Sequence, residues 1–215
     1  LPYINPGNYI RQSETIANEL NKTEKNGVLW ANQFDNISNM NGHFNTTGPE
    51  IWEQLDEKVD GFTCAVGTGG TLAGVSKYLK EKKEDIKRFL SDPYGSALYN
   101  YYKKDELKAE GNSITEGIGQ GRITENLKQL VVDDAIRIND KEALEMIFKL
   151  LKEEGLFLGG SSGINVCGAI KMAEKLGPGH NVVTILCDSG QRYQSKIWNK
   201  GFLKSKDLPF PSWME

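Results

Sequence analysis

Hydrophobic and polar positions change period several times along the chain, and each change marks an element. Between Asn8 and Leu20, the residues Tyr9, Ile16, Ala17 and Leu20 recur at helical spacing, and Gly27 ends that pattern. "VLWANQF", Val28 to Phe34, reads as a strand and the loop after it. "DNISNMNGHFNTTGP", Asp35 to Pro49, is rich in Asn, Gly and Thr and is predicted to be an interdomain crossover or a substrate-side loop. A helix is expected around Glu50 to Lys58, then a short apolar strand from Phe62 to Val66 and a helix from Leu72 to Lys82. Ile86–Leu90 and Val131–Ile138 read as strands, with an irregular, tyrosine-bearing stretch from Ser91 to Gly121 between them. Asn139–Gly155 carries the strongest helix signal. Asn139 can cap it with Glu142 in the capping-box position, Leu144, Ile147, Phe148 and Leu151 form its apolar face, and Gly155 stops it. "LFLGGSSG" then leads to a helix from about Ile164 to Leu176, a "GPG" turn, the strand "VVTILC" and the loop "DSGQRY".

Strands that alternate with helices predict an α/β fold with a parallel sheet and helices on both faces, a three-layer αβα arrangement. Ligands of such sheets gather at the carboxyl ends of the strands. Three Gly/Ser-rich loops follow strand-like runs in this way, at Gly67–Thr71, Gly159–Gly163 and Asp188–Gly190, and "EGIGQG", Glu116–Gly121, is a fourth glycine-rich loop.

Gly67-Thr68-Gly69-Gly70-Thr71 joins a strand-like run to a helix-like run. The first-turn N–H groups of a helix lack intrahelical acceptors, and the helix dipole favours an anion there. Three glycines admit the anion and two threonine hydroxyls add donors, which makes a phosphate cup the favoured reading over a tight turn that needs glycine for packing. No Lys-Ser/Thr follows, so it is not a Walker loop, and Leu72 breaks the G-x-G-x-x-G spacing. Ser189, at a strand's carboxyl end in "LCDSGQRY", can hydrogen-bond a ring nitrogen; an ordinary Asx/Ser turn is the competing reading. Ser161 or Ser162 of "GGSSG" is expected to cap the helix beginning near Ile164.

Composition narrows the class. A chain of 215 residues fits one large α/β domain or two small ones, and 38% hydrophobic with 26% charged residues is a soluble globular balance. The net charge of −3, with no basic stripe, argues against a nucleic-acid partner. No apolar run is long enough for a transmembrane helix. Lys77, Lys80, Lys82, Lys83 and Lys87 are interleaved with Glu81, Glu84 and Asp85 and read as a solvated helix face. Cys64, Cys167 and Cys187 form no C-x-x-C pair, and His43 and His180 lack zinc-like spacing, so no metal site is expected. All three thiols read as buried and structural, and unpaired thiols point to the cytoplasm.

Taken in order, "GTGGTLAGV", "EGIGQG", "GGSSGI" and "CDSGQRY" resemble the pyridoxal-phosphate enzymes of fold type II, within the cysteine synthase and cystathionine β-synthase family; "NTTGPEIWEQL" and "NQF" resemble it too. The resemblance covers essentially the whole chain. "NPGNY", "WANQFDN", "ITEGIGQGRIT" and "LCDSGQRYQSK" are most similar to the cysteine synthase-like, cysteine desulfhydrase subgroup. The resemblance implies a tryptophan synthase β-like fold with a mostly parallel twisted sheet. Residues 1–45 would be a remnant of a smaller N-terminal domain plus a crossover, and residues 46–215 the large cofactor-binding domain.

It also implies roles. Gly67, Thr68, Gly69, Gly70 and Thr71 would hold the phosphate of pyridoxal 5′-phosphate. Ser189 would hydrogen-bond the pyridine nitrogen and leave it largely unprotonated. Gly117 would line the substrate side, and Gln33 would bind the substrate carboxylate. Asp188 looks like the cystathionine β-synthase form of that loop. Cysteine or O-acetylserine is the implied substrate, undergoing elimination or replacement at the β-carbon, in a homodimer. The Schiff-base lysine of the family lies in a Ser-x-Lys-Asp-Arg context near the amino terminus. Ser76-Lys77, Ser195-Lys196 and Lys204-Ser205-Lys206 do not match it, and the Ser-Gly-Asn-type substrate loop is absent. The chain also opens without methionine. It is therefore expected to be the carboxyl-terminal part of a longer polypeptide, inert by itself, binding the cofactor weakly and exposing apolar surface. The alternatives are a non-catalytic interaction module that keeps the fold and a cystathionine β-synthase-like condensation. A nicotinamide oxidoreductase is disfavoured by the absent fingerprint.

Overall fold

In the computed structural model, which describes residues 5–214, helices and strands alternate along most of the chain. They are α1 (Tyr9–Leu20), α2 (Ser38–Asn45), α3 (Thr47–Gln54), β1 (Gly61–Cys64), α4 (Gly70–Lys82), β2 (Lys87–Pro93), α5 (Leu98–Lys104), β3 (Asp134–Ile138), α6 (Asp140–Glu154), α7 (Gly160–Leu176), β4 (Val182–Val183) and α8 (Lys200–Ser205). The strands form one parallel sheet in the order β3-β2-β1-β4, with Gly61 in register with both Lys87 and Val182, and Phe89 with Asp134.

Successive strand side chains point to opposite faces, and both faces are covered. Phe62 and Cys64 of β1, Leu90 of β2 and Ala135 of β3 pack with Leu72, Val75 and Leu79 of α4, Leu98 of α5 and Trp52 of α3. Phe89 of β2 and Ile136 and Ile138 of β3 face the other way, onto Ala143 of α6 and Ile164, Cys167 and Met172 of α7. This is the three-layer αβα fold that the alternation predicts. A third cluster joins Leu144, Ile147 and Phe148 of α6 to Ile197, Leu203 of α8 and Met214. At the start of α6, Asn139 Oδ1 accepts from Glu142 N at 3.0 Å, and Gly155 closes the helix with φ +70°.

The departures from expectation have physical causes. Val28–Phe34 forms no strand, because no neighbour ladders with it among the described residues; Leu29 is 93% exposed. The predicted apolar stripe of α1 is uncovered as well, with Tyr9, Ile16 and Leu20 all exposed. Asp35–Pro49 is not a loop but α2 and the start of α3, so packing overrides an Asn- and Gly-rich composition. The helix expected at Glu50–Lys58 starts three residues earlier, at Thr47. Ser91–Gly121 contains the end of β2 and all of α5.

"VVTILC" ladders only at Val182 and Val183. Beyond them side chains replace the ladder: Thr184 Oγ1 donates to Thr63 O at 2.6 Å, and Asn165 of α7 bridges Ala65 N (2.7 Å) and Ile185 O (2.7 Å). Cys187, four residues past the end of this edge strand, is exposed while Cys64 and Cys167 are buried, against the expectation for Cys187.

Candidate functional site: a donor-lined cup at the carboxyl edge of the sheet

The turn between β1 and α4 is Ala65–Gly69. Gly69 takes φ +91° and caps α4 without a side chain of its own; Gly70 N donates to Thr68 Oγ1 at 3.3 Å, and no acidic residue occupies the first turn. A Cβ on Gly67 would stand under 3.0 Å from the carbonyl oxygen of Gly117, so the two glycine loops meet backbone to backbone. Gly119 N donates to Val66 O at 2.9 Å and pins the second loop over the end of β1.

Both threonine hydroxyls are held from behind by α2. Asn39 Nδ2 donates to Thr68 Oγ1 at 2.9 Å, and His43 Nε2 lies 3.1 Å from Thr71 Oγ1. Asn39 and His43 are four residues apart and share one helix face. That face abuts α4 at Gly70 and Gly74: a Cβ on Gly70 would run into Asn39 Oδ1, and one on Gly74 into Met40 O. Burial holds the His43 imidazole below its usual pKa, favouring the neutral ring. Thr124 Oγ1 donates to Thr68 O at 2.7 Å and fixes the base of the turn.

Gln33 sits beside the cup through the same amide. Asn39 Nδ2 also donates to Gln33 O at 2.8 Å, and Asn126 Nδ2 donates to Gln33 O and Phe34 O at 3.1 and 2.8 Å. Asp35 receives two bonds from Arg122, at 2.9 and 2.8 Å, and one from Glu125 N at 3.1 Å. The guanidinium holds the Asp35 carboxyl below the usual carboxylate range. The segment carrying Gln33 is thereby clamped to the segment that follows Gly117.

Ser189 stands on the neighbouring loop, leaving the same end of the sheet after β4. It is tied to the segment before α7, not to the cup: Leu158 and Ser189 form an antiparallel bridge, and Gly190 N donates to Phe157 O at 3.0 Å. Ser189 Oγ accepts from Gln191 N at 3.3 Å, which leaves its proton available to an outside acceptor. Asp188 Oδ2 accepts from Tyr193 Oη at 2.8 Å. In "GGSSG" neither serine caps the helix. α7 begins at Gly160 with Gly159 as its N-cap, and Ser162 Oγ instead accepts from Cys187 N at 2.9 Å. Lys196, which the Ser-x-Lys-Asp-Arg context excluded, pairs with Glu116 of the glycine-rich loop.

Gly67–Thr71, Gly117 and the Gln33 backbone thus come together in direct or one-residue contact, whereas Ser189 lies on the loop that follows the neighbouring strand and is not tied to them. Sequence reasoning missed Asn39, His43, Asn126 and Asn165. The signal for the first two was the i, i+4 pair inside a segment whose composition reads as a loop. Hydroxyl and N–H donors without a carboxylate fit a phosphate monoester.

A parallel α/β sheet with donor-lined, glycine-rich turns at the carboxyl ends of its strands is the architecture of the proteins that bind ligands at that edge. A family profile described as "Pyridoxal-phosphate dependent enzyme" matches residues 3–188, and the chain belongs to that family. It is 50% identical to Cysteine synthase 1 of Neurospora crassa over 211 residues, 96% of this chain and 55% of the relative. To Cysteine synthase of Dictyostelium discoideum it is 49% identical over 191 residues, 84% of this chain and 50% of the relative. Among solved structures, O-acetyl serine sulfhydrylase isoform 3 from Entamoeba histolytica matches with TM-score 0.75 and 36% identity, over 85% of this chain and 53% of that one. The O-acetylserine dependent cystathionine beta-synthase from Helicobacter pylori matches with TM-score 0.75 and 33% identity, over 85% and 57%. The chain spans about half the length of the curated relatives it matches.

Proposed function

We propose that this chain supplies the phosphate cup and ring-nitrogen partner of a cysteine synthase-type enzyme, which exchanges the β-substituent of O-acetylserine for sulfide to form cysteine. The cup carries the reading: Thr68 Oγ1 accepts from Asn39 Nδ2, so the Thr68 proton can serve an anion, and Thr71 Oγ1 stands against His43 on the same side. When bound, pyridoxal 5′-phosphate supplies an electron sink that lets the α-proton and then the β-substituent of an amino acid depart. Gly67–Thr71 hold its phosphate by N–H and hydroxyl donors. Ser189, already accepting from Gln191 N, donates to the ring nitrogen and leaves it unprotonated. Gly117 keeps its edge of the site clear, because nothing lies within 4 Å of where its Cβ would be. Gln33 binds the substrate carboxylate. Elimination from cysteine, towards which the motif resemblance leans, shares this half-site; the relatives' names weight the reading towards replacement. A cytoplasmic homodimer belongs to the same reading, supported by the family resemblance and the three free cysteines. So does a division into residues 1–45 and 46–215.

The test is to mix the purified chain with pyridoxal 5′-phosphate, reduce with borohydride and map adducts by mass spectrometry, with ³¹P spectra beforehand. A perturbed phosphate resonance without a lysine adduct supports the cup and an attachment lysine outside these residues. One stoichiometric adduct would place the lysine within the chain and overturn that part. No perturbation of the phosphate would overturn the cup.

A further inference from the structure

We propose that His43 is a positioning residue that turns the Thr71 hydroxyl into a donor toward the bound phosphate, in the tautomer that carries its proton on Nε2. The proposal rests on the phosphate reading of the cup and adds a residue and a proton position that this reading does not require.

The imidazole stands between two hydroxyls, with Nδ1 2.9 Å from Thr47 Oγ1 and Nε2 3.1 Å from Thr71 Oγ1. A neutral ring has one donor and one acceptor. With the proton on Nδ1, Nε2 must accept from Thr71, and the only proton of that hydroxyl points away from the cup. With the proton on Nε2, the ring donates to Thr71 Oγ1, Thr47 donates to Nδ1, and the Thr71 proton is released toward the anion. A phosphate dianion can only accept, so the second arrangement alone leaves all three protein groups and the anion paired.

Thr68 shows the same device without the ambiguity. Its oxygen receives Asn39 Nδ2 at 2.9 Å and Gly70 N at 3.3 Å, and an amide nitrogen can only donate. Asn39 therefore sets the polarity of Thr68 unconditionally, whereas His43 sets that of Thr71 only when Thr47 completes the relay. α2 lies close on α4 at this residue, because a Cβ on Gly74 would lie within 3.0 Å of His43 Cβ, and the ring is held at both nitrogens by Thr47 and Thr71. Burial disfavours the doubly protonated ring, so the choice lies between the two neutral forms.

The experiment uses the whole chain labelled with ¹⁵N-histidine. Two imidazoles are present, and His43→Gln assigns them. Long-range ¹H–¹⁵N correlation reads the tautomer during titration with inorganic phosphate and then with pyridoxal 5′-phosphate. Saturation should drive His43 to the Nε2–H form. His43→Leu should weaken phosphate binding about tenfold, the scale of one hydrogen bond to a charged group. His43→Gln, whose amide can donate to Thr71, should recover most of that loss. Thr47→Val keeps the ring in place, guards against a folding defect at position 43, and should lower both the Nε2–H population and the affinity. An Nδ1–H ring in the phosphate complex would overturn the proposal. So would His43→Leu and Thr47→Val chains that bind phosphate as tightly as the parent, while leaving the cup itself standing. A parent chain that binds no phosphate would remove the cup and the proposal together.

Discussion

Replacing Gly67 with alanine tests whether the cup is built from two backbones in contact. The new Cβ would lie within 3.0 Å of the Gly117 carbonyl oxygen, whereas ordinary contact starts at 3.4 Å. The obstacle is backbone, not the end of a flexible side chain, so one loop must move by roughly 1 Å or the strain must be stored, at a cost of about 1–3 kcal/mol. Gly67 itself lies outside the left-handed region, so alanine there suffers no conformational penalty of its own. Two controls separate the causes. Gly121→Ala meets nothing within 4 Å at an ordinary φ and should be neutral or stabilising by up to about 1 kcal/mol. Gly117→Ala also meets nothing, but at φ +76° it should cost about 1–2 kcal/mol from the backbone alone. Urea unfolding reads all three. With a slope near 2 kcal/mol/M, Gly67→Ala should lower the midpoint by about 0.5–1.5 M at unchanged slope. It should also weaken pyridoxal 5′-phosphate binding, because the shift falls on the cup. A Gly67→Ala chain that unfolds at the same midpoint as Gly121→Ala would refute the backbone contact.

Three further outcomes follow from named contacts. Burial pushes the Asp92 carboxyl up to about 6, above the unfolded value of about 3.9, so the native state holds that proton more tightly, and the associated stability is lost as pH rises from about 4 through about 6. Asp92→Asn, whose amide oxygen can still accept from Tyr99 N, should gain up to about 3 kcal/mol at pH 7 and nothing near pH 4, read by urea unfolding at both pH values. Asp35 has the opposite sign: the Arg122 bonds lower its pKa, so it contributes stability above about pH 4 that disappears as pH falls through the folded value, and Asp35→Asn should cost about 1–2 kcal/mol at pH 7 and less in acid. Asn165→Leu leaves Ala65 N–H and Ile185 C=O unpaired in the interior and should cost about 2–5 kcal/mol by thermal or urea unfolding; a loss below about 1 kcal/mol would mean that water reaches both groups.

The sequence was most legible where one local rule was enough. α6 announces itself through Asn139, Glu142 and Gly155, and the structure realises each of those roles except the Glu142 half of the reciprocal cap, since Glu142 Oε1 and Oε2 accept from Lys171. β1, α4 and the turn between them were readable because the apolar strand run, the helical period and the glycine-rich break that separates them are all local signals. Legibility failed where the structure depends on partners remote in sequence. Val28–Phe34 has strand composition, but a strand exists only against a neighbour. β4 shrinks to two residues because Asn165 and Thr184 make, with side chains, the bonds a ladder would have made. Asn39, His43 and Asn126 act across 28 to 93 positions of chain, and no local pattern encodes a contact of that span.

α2 shows why the least helix-like segment carries so much of the cup. Its sequence, "SNMNGHFN", is eight residues of mostly poor helix formers, too short to persist unaided. It is helical because it docks on α4, and the docking is close because Gly70 and Gly74 lack side chains there. Gly70 therefore belongs to two structures at once, the turn proposed to hold the phosphate and the groove that admits α2. The asparagines that weaken the helix are the groups it delivers. Asn39 spends both N–H donors, one on the Thr68 hydroxyl and one on the carbonyl of Gln33. With both donors committed, that amide cannot follow a shift of the cup without losing the Gln33 segment, nor a shift of that segment without releasing Thr68. The phosphate end and the carboxylate end of the proposed site are coupled through one side chain, and the polarity of the cup's hydroxyls is set by a helix that exists only because the cup's own glycines make room for it.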